Sequence, residues 1–182
     1  MNDKMCGNHT ISILACHTAG IVERICSLLQ RRGFIIRSSS AGKSKDKGML
    51  VLTVVVFCDL PGLEQIQKQL AKIIDVVKVE LLNPLNKVER EMALIKIKTR
   101  QKANLALCRL IESFKGRVVE ASACGYVVEI TGAGEKIDSF LELVAAHSVE
   151  DIVRTSPVAL HGWSKSAVKQ KNKEAANGSN LL

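Results

Sequence analysis

Apolar and polar positions along the chain change period in an ordered succession. Residues 9–16, His9-Thr10-Ile11-Ser12-Ile13-Leu14-Ala15-Cys16, are short and rich in β-branched side chains, which predicts a strand. His17-Thr18-Ala19-Gly20 predicts a turn. Ile21, Ile25, Leu28 and Leu29 then recur at helical spacing, and Arg31-Arg32-Gly33 supplies cations and a glycine stop. Residues 34–40 and 49–58 predict two strands joined by the polar hairpin 41–48. Pro61 suits the first turn of a second helix, along which Leu63, Ile66, Leu70 and Ile73 repeat, and residues 76–79 predict a closing strand. The order is βαββαβ.

Asn83-Pro84-Leu85-Asn86 breaks the pattern, and the same order then begins again. Residues 92–97 predict a strand, and Leu105, Cys108 and Ile111 line a helix. Residues 117–121 and 126–130 pair around Cys124-Gly125, Ile137, Phe140, Leu141 and Val144 line a second helix, and residues 149–154 close the repeat. The chain is therefore expected to be α+β, with two tandem ferredoxin-like βαββαβ domains over residues 1–84 and 85–163. Each would be a four-stranded antiparallel sheet with two helices on one face, because right-handed crossovers return both helices to the same side. Residues 164–182 are too polar to bury much and predict a disordered basic tail.

Composition narrows what such a fold can do. Hydrophobic residues make up 47% of the chain but aromatic ones only 3%, so the core is aliphatic and platforms for stacking bases are scarce. The longest apolar run, residues 49–58, is half of the roughly 20 residues that a spanning helix needs, which argues against a membrane protein. No secretory or transit pattern opens the chain, which points to work where it is made. The formal charge of +8 invites a nucleic-acid partner, yet an excess of three lies from Ser164 onward and only one in residues 81–163. The densest basic group, Arg31, Arg32, Arg37, Lys43, Lys45 and Lys47, has no recognition-helix pattern around it and reads as a solvated edge and loop. The six cysteines never approach a Cys-x-x-Cys spacing, so no metal site is expected; Cys16, Cys26, Cys58 and Cys108 read as buried small hydrophobes.

No catalytic set emerges. Gly42-Lys43-Ser44 has Arg37 where a phosphate loop needs glycine and lies between two strands. Gly132-Ala133-Gly134 has Ile137 at the third glycine position of a dinucleotide fingerprint. Cys16 and His17 point to opposite faces as strand neighbours, His147 and His161 lack partners, and Glu89-Arg90-Glu91 reads as a solvated interdomain segment. These residues describe a binding or regulatory module. Its one local ligand feature is the turn at Gly20, which delivers the chain into a helix N-terminus whose free N–H groups and dipole attract a carboxylate. An amino-acid effector fits there; so does a plain helix entry.

Several segments together resemble a known family. His9-Thr10-Ile11-Ser12, Gly20-Ile21, Arg31-Arg32-Gly33-Phe34, Leu63-Glu64-Gln65-Ile66 with Gln69-Leu70, Val76-Val77-Lys78-Val79, Val88-Glu89-Arg90-Glu91 and Glu150-Asp151-Ile152-Val153-Arg154-Thr155 are similar to the regulatory (small) subunit of acetolactate synthase. The resemblance spans residues 9 to 161, and Val88-Glu89-Arg90-Glu91 is its most specific piece. It implies an N-terminal ACT domain, a homodimer formed by pairing ACT sheets, and activation of a separate catalytic (large) subunit that holds thiamine diphosphate, FAD and Mg, with no cofactor in this chain. It further implies branched-chain amino acid biosynthesis, in a bacterial cytoplasm or a plastid stroma, with valine or a related amino acid as feedback inhibitor. The effector residues it points to are His17, Gly20, Ile21, Phe34 and Ile35. Only the glycine of the family's turn is kept: His17 stands where Asn or Asp is usual, and Ile35 follows Phe34 where the family has Asn across its dimer interface. An imidazole accepts poorly from an ammonium group when charged and an alkyl chain has no acceptor, so weak or absent valine feedback is expected. A stand-alone amino-acid sensor or RNA-binding ferredoxin-like module is the alternative, supported by fold and charge alone.

Overall fold

A computed structural model of the chain describes residues 6–99 and 104–163, and the expected tail at 164–182 lies outside them. The first unit runs β1 (Gly7–Cys16), α1 (Ile21–Arg31), β2 (Ile35–Lys43), β3 (Met49–Cys58), α2 (Leu60–Leu70) and β4 (Val76–Leu82). The second runs β5 (Lys87–Lys98), α3 (Leu105–Ser113), β6 (Arg117–Ala121), β7 (Gly125–Gly132), α4 (Gly134–Val144), β8 (Ser148–Arg154) and β9 (Val158–His161). The sheets are antiparallel in the orders β2-β3-β1-β4 and β6-β7-β5-β8, so the expected pair of ferredoxin-like sheets is present.

Each core follows from two periods meeting. Strand pleating sends Ile11, Ile13 and Ala15 of β1 and Leu52, Val54 and Val56 of β3 to one face, where Ile21, Ile25 and Leu29 of α1 and Leu63, Ile66 and Leu70 of α2 cover them. In the second unit Ala93, Ile95 and Ile97 of β5 meet Leu107 and Ile111 of α3 and Ile137, Phe140 and Val144 of α4. Phe114 and Phe140 add an edge-to-face pair with centroids 5.3 Å apart. Side-chain caps start two of the helices: the carboxylate of Asp59 accepts from Gly62 N–H, and the Asn104 amide oxygen from Leu107 N–H.

Five local expectations are corrected. Strand β2 continues through Lys43, so Ala41 and Gly42 belong to a ladder with β3 rather than to the hairpin. Helix α2 ends at Leu70, short of Ile73. Leu105 is 70% exposed and Leu107 takes its place in the core, since the buried stripe of α3 runs through Leu107 and Ile111. Of the four cysteines expected inside, Cys58 is buried while Cys16, Cys26 and Cys108 are only partly so. Glu89-Arg90-Glu91 is no solvated linker: it lies within β5, whose first residues, Lys87 to Arg90, pair with the unexpected strand β9.

That extra strand ties the two units together. Past β8 the chain keeps following β5: Thr155 N–H donates to the Met92 carbonyl (2.9 Å) and Met92 N–H to Thr155 Oγ1 (3.0 Å) before β9 begins. Segment 155–161 thereby forms a strap across the face of the first sheet that α1 and α2 leave bare. Ser40 Oγ of β2 donates to the Pro157 carbonyl (2.7 Å), and Lys87 Nζ donates to Thr10 Oγ1 of β1 (3.0 Å). Thr10, Thr53 and Leu82 alternate with the helix-facing core residues, and all three are buried, as is Pro157. Among the described residues no helix is long and apolar enough to cross a membrane.

Thiol chemistry follows from this burial. Desolvation pushes the Cys58 thiol pKa up, with Asp59 and Cys6 adding to it, and burial also raises Cys26 against an opposing hydrogen bond with Ser39. Iodoacetamide at neutral pH is expected to alkylate the exposed Cys6 and Cys124 first. Cys26 and Cys58 should react at least about tenfold more slowly, because thiolate fraction falls tenfold per unit of pKa rise and access is restricted. Peptide mapping of a labelling time course checks this, and equal rates at all sites would contradict it.

Candidate functional site

The turn between β1 and α1 is built from backbone bonds. Cys16 N–H donates to the Asp75 carbonyl, His17 N–H to the Gly48 carbonyl and Thr18 N–H to the Cys16 carbonyl, each at 2.8 Å. Gly20 then adopts φ 73°, ψ 8°, the left-handed region where glycine has no Cβ penalty, and α1 starts without a side-chain cap. The Ile21 N–H leans on the Thr18 carbonyl at 3.3 Å, while the amides of Val22 and Glu23 meet no acceptor among the described residues. Arg24, one turn along, braces the loop: its guanidinium donates to Thr18 Oγ1 (3.0 Å) and forms an ion pair with Asp75.

This helix entrance opens into a cavity of about 750 Å3. The turn and α1 contribute His17, Gly20, Val22, Glu23 and Cys26 to its lining, and β2 and β3 contribute Ala41, Lys43 and Met49. The cavity thus offers open amides at a helix N-terminus, an apolar interior, and a carboxylate and an ammonium among its lining groups. Such a set suits a small aliphatic molecule bearing a carboxylate.

Of the residues singled out from the sequence, His17, Gly20 and Ile21 line this cavity together and Phe34 and Ile35 do not. Phe34 follows Gly33, whose φ of 79° ends α1, and packs against the core of the first unit. Ile35 opens β2 opposite Phe57 and is 51% exposed, at the far end of the strand from Ala41 and Lys43. The sequence pattern passed over Glu23, Cys26, Lys43 and Met49. The acidic residue in the first turn of α1 was a legible signal; the strand residues enter only through the β2–β3 register.

A second cluster joins two of the segments on which the family resemblance rested. Arg154 at the end of β8 pairs through Nε with Glu91 Oε2 of β5 (2.5 Å), through Nη1 with Asp138 of α4, and through Nη2 with the Gly134 carbonyl (3.3 Å). Burial disfavours the guanidinium charge, but Asp138 and Glu91 more than offset this and hold the Arg154 pKa above its ordinary value. The arrangement locks the first turn of α4 to two strands. Among the described residues no group of three or more His, Cys, Asp and Glu side chains could hold a metal ion.

Comparison with known proteins agrees across both units. Residues 11–78 match the family profile of the AHAS small subunit-like ACT domain, and residues 90–162 that of the small subunit of acetolactate synthase. The probable acetolactate synthase small subunit of Methanothermobacter thermautotrophicus is 37% identical over 158 residues, covering 86% of this chain and 94% of that protein. The acetolactate synthase small subunit of Aquifex aeolicus is 34% identical over 167 residues, covering 91% and 86%. The crystal structure of the acetolactate synthase small subunit from Thermotoga maritima superposes with a TM-score of 0.82 at 38% identity, covering 87% of this chain and 99% of that one.

Proposed function

The chain belongs to the acetolactate synthase small-subunit family, and from that premise we propose that it binds the catalytic subunit of acetolactate synthase and raises its turnover. Thiamine diphosphate, FAD and Mg belong in this reading to the catalytic partner. The observation that carries it is the match over both units, together with a cavity at the one turn where the chain keeps the family glycine. Activation then needs no chemistry here: preferential binding to one conformation of the partner shifts its population.

The same reading completes the cavity. β2 is an edge strand with an unpaired ladder side in the order β2-β3-β1-β4, and such edges seek partners. Antiparallel pairing of two copies about a twofold axis sets the start of one β2 beside the end of the other. Ile35 of a second copy thereby arrives next to Ala41 and Lys43, at the mouth of the cavity, and its neighbour Phe34 comes with it. A branched-chain amino acid, valine in the first instance, would sit between the copies with its carboxylate on the α1 amides and its side chain toward Val22 and Met49. Branched-chain amino acid biosynthesis is the pathway this regulation would serve.

The experiment is a rate assay of the catalytic subunit with this chain titrated in, with and without valine, leucine and isoleucine. Turnover is expected to rise several-fold to a plateau, and the chain alone should form no acetolactate. An unchanged rate at saturation overturns the reading. The first sheet gives the RNA-binding alternative no support: the strap covers its helix-free face, the surface on which RNA-binding ferredoxin-like modules stack bases.

A further inference from the structure

Ser40 sits next to Ala41, the first β2 residue that lines the cavity, and its hydroxyl reaches the second unit through the Pro157 carbonyl at 2.7 Å. We propose that this bond makes the 155–161 strap a relay, by which occupancy of the cavity is felt in the second unit. The inference rests on the effector reading given above and adds the element that transmits the effect.

Three features carry it. First, Ala41 and Lys43 of β2 line the cavity, and the register of β2 with β3 shifts between Ile36 and Ser38. A shift of this cavity wall when the cavity fills therefore reaches Ser40 along its own strand. Second, the strap is stiff where Ser40 meets it. Pro157 is buried and its ring holds φ, while on either side the chain is bonded to β5, by Thr155 to Met92 and by β9 to Lys87 through Arg90. A displacement of Ser40 therefore pulls on β5, which is the central strand of the second sheet and carries Glu91 of the Arg154 cluster. Third, a second side-chain hydrogen bond between the units, Lys87 Nζ to Thr10 Oγ1, joins β5 to β1 without passing through the strap, and neither residue lines the cavity. The units are thus joined by one bond through the strap beside the cavity wall and by another that bypasses it, which separates relay from mere attachment.

The test uses the full-length protein with its catalytic subunit, and valine as the probe, taken to saturation as judged by calorimetry. Ser40→Ala is expected to bind valine within about twofold of the wild type. The factor by which valine shifts the activity equilibrium should meanwhile fall about fivefold, the worth of one neutral hydrogen bond set against an allosteric coupling of ordinary size. Ser40→Thr, which restores the hydroxyl, should recover the coupling. Thr10→Val, which cuts the Lys87 bond that bypasses the strap, should leave it unchanged. Full valine inhibition through Ser40→Ala overturns the relay, and so does loss of valine binding in that variant, which would make Ser40 part of the cavity. A wild type that binds valine but is not inhibited by it also overturns the relay. A wild type that binds no valine overturns the effector reading, and the relay with it.

Discussion

Exchanging His17 and Ile35 together for asparagine is expected to tighten valine binding about a hundredfold. A hydrogen bond to a charged group is worth about 1.5–3 kcal/mol, and every 1.4 kcal/mol is tenfold in affinity. Two restored acceptors at the lower figure supply about 3 kcal/mol, or roughly two decades. The wild type should accordingly bind valine near the millimolar range, held by the carboxylate on the α1 amides and by the apolar interior but with its ammonium poorly met. Either single exchange should recover about tenfold. Calorimetry on the intact protein decides this, with two results that would count against it. One is micromolar binding by the wild type, which would point to Glu23 as the ammonium acceptor and would be lost in Glu23→Gln. The other is unchanged affinity in the double variant, which would mean that the second copy does not deliver residue 35 to the cavity.

Replacing Arg154 by alanine is expected to cost about 2–3 kcal/mol of stability. Breaking a buried ion pair by removing one partner costs about 3–5 kcal/mol, because the remaining charge is left desolvated. The figure is reduced here because the Arg154 side chain is 29% and that of Glu91 15% exposed, so water partly replaces the lost partner. For a chain of this size the loss corresponds to a drop in Tm of about 5–10 °C. Arg154→Lys keeps the charge but not the fork that serves Glu91, Asp138 and the Gly134 carbonyl at once, so it should recover only part of the loss. Asp138→Ala should cost less than either, its side chain being 56% exposed. The sign with pH is also defined. A guanidinium whose pKa is raised on folding gives its full contribution below the ordinary arginine pKa and loses it only above that, so alkaline titration below that range should leave the arginine contribution intact. Thermal unfolding followed by circular dichroism checks the size, and a Tm within two degrees of wild type would assign the cluster a merely superficial role.

The sequence by itself determined the twelve elements of the repeated βαββαβ order, the aliphatic make-up of both cores and the glycine turn into the first helix. The reason is local: an element that buries one face must repeat its apolar residues at the period of its own backbone, so the pattern is written within ten or so neighbouring residues. The family segments were legible in the same way, as strings. Their purpose was not. Glu91 and Arg154 stand 63 residues apart, and Glu89-Arg90-Glu91 looks solvated until β9 lies beside it. Strand β9 itself is four residues long behind a proline, too short to carry a period, and is a strand only because β5 runs on past the second sheet and offers Lys87 to Arg90 a partner. The partial exposure of Cys16, Cys26 and Cys108 has the same origin, since residue type sets the preference for burial and neighbours brought from elsewhere set its extent. Tertiary structure alone decided that Ala41 and Lys43 wall the cavity, that Phe34 and Ile35 lie away from it within one chain, and that the strap covers the bare face of the first sheet. These are properties of register and of contacts between distant segments, and no period in a single stretch of chain encodes them.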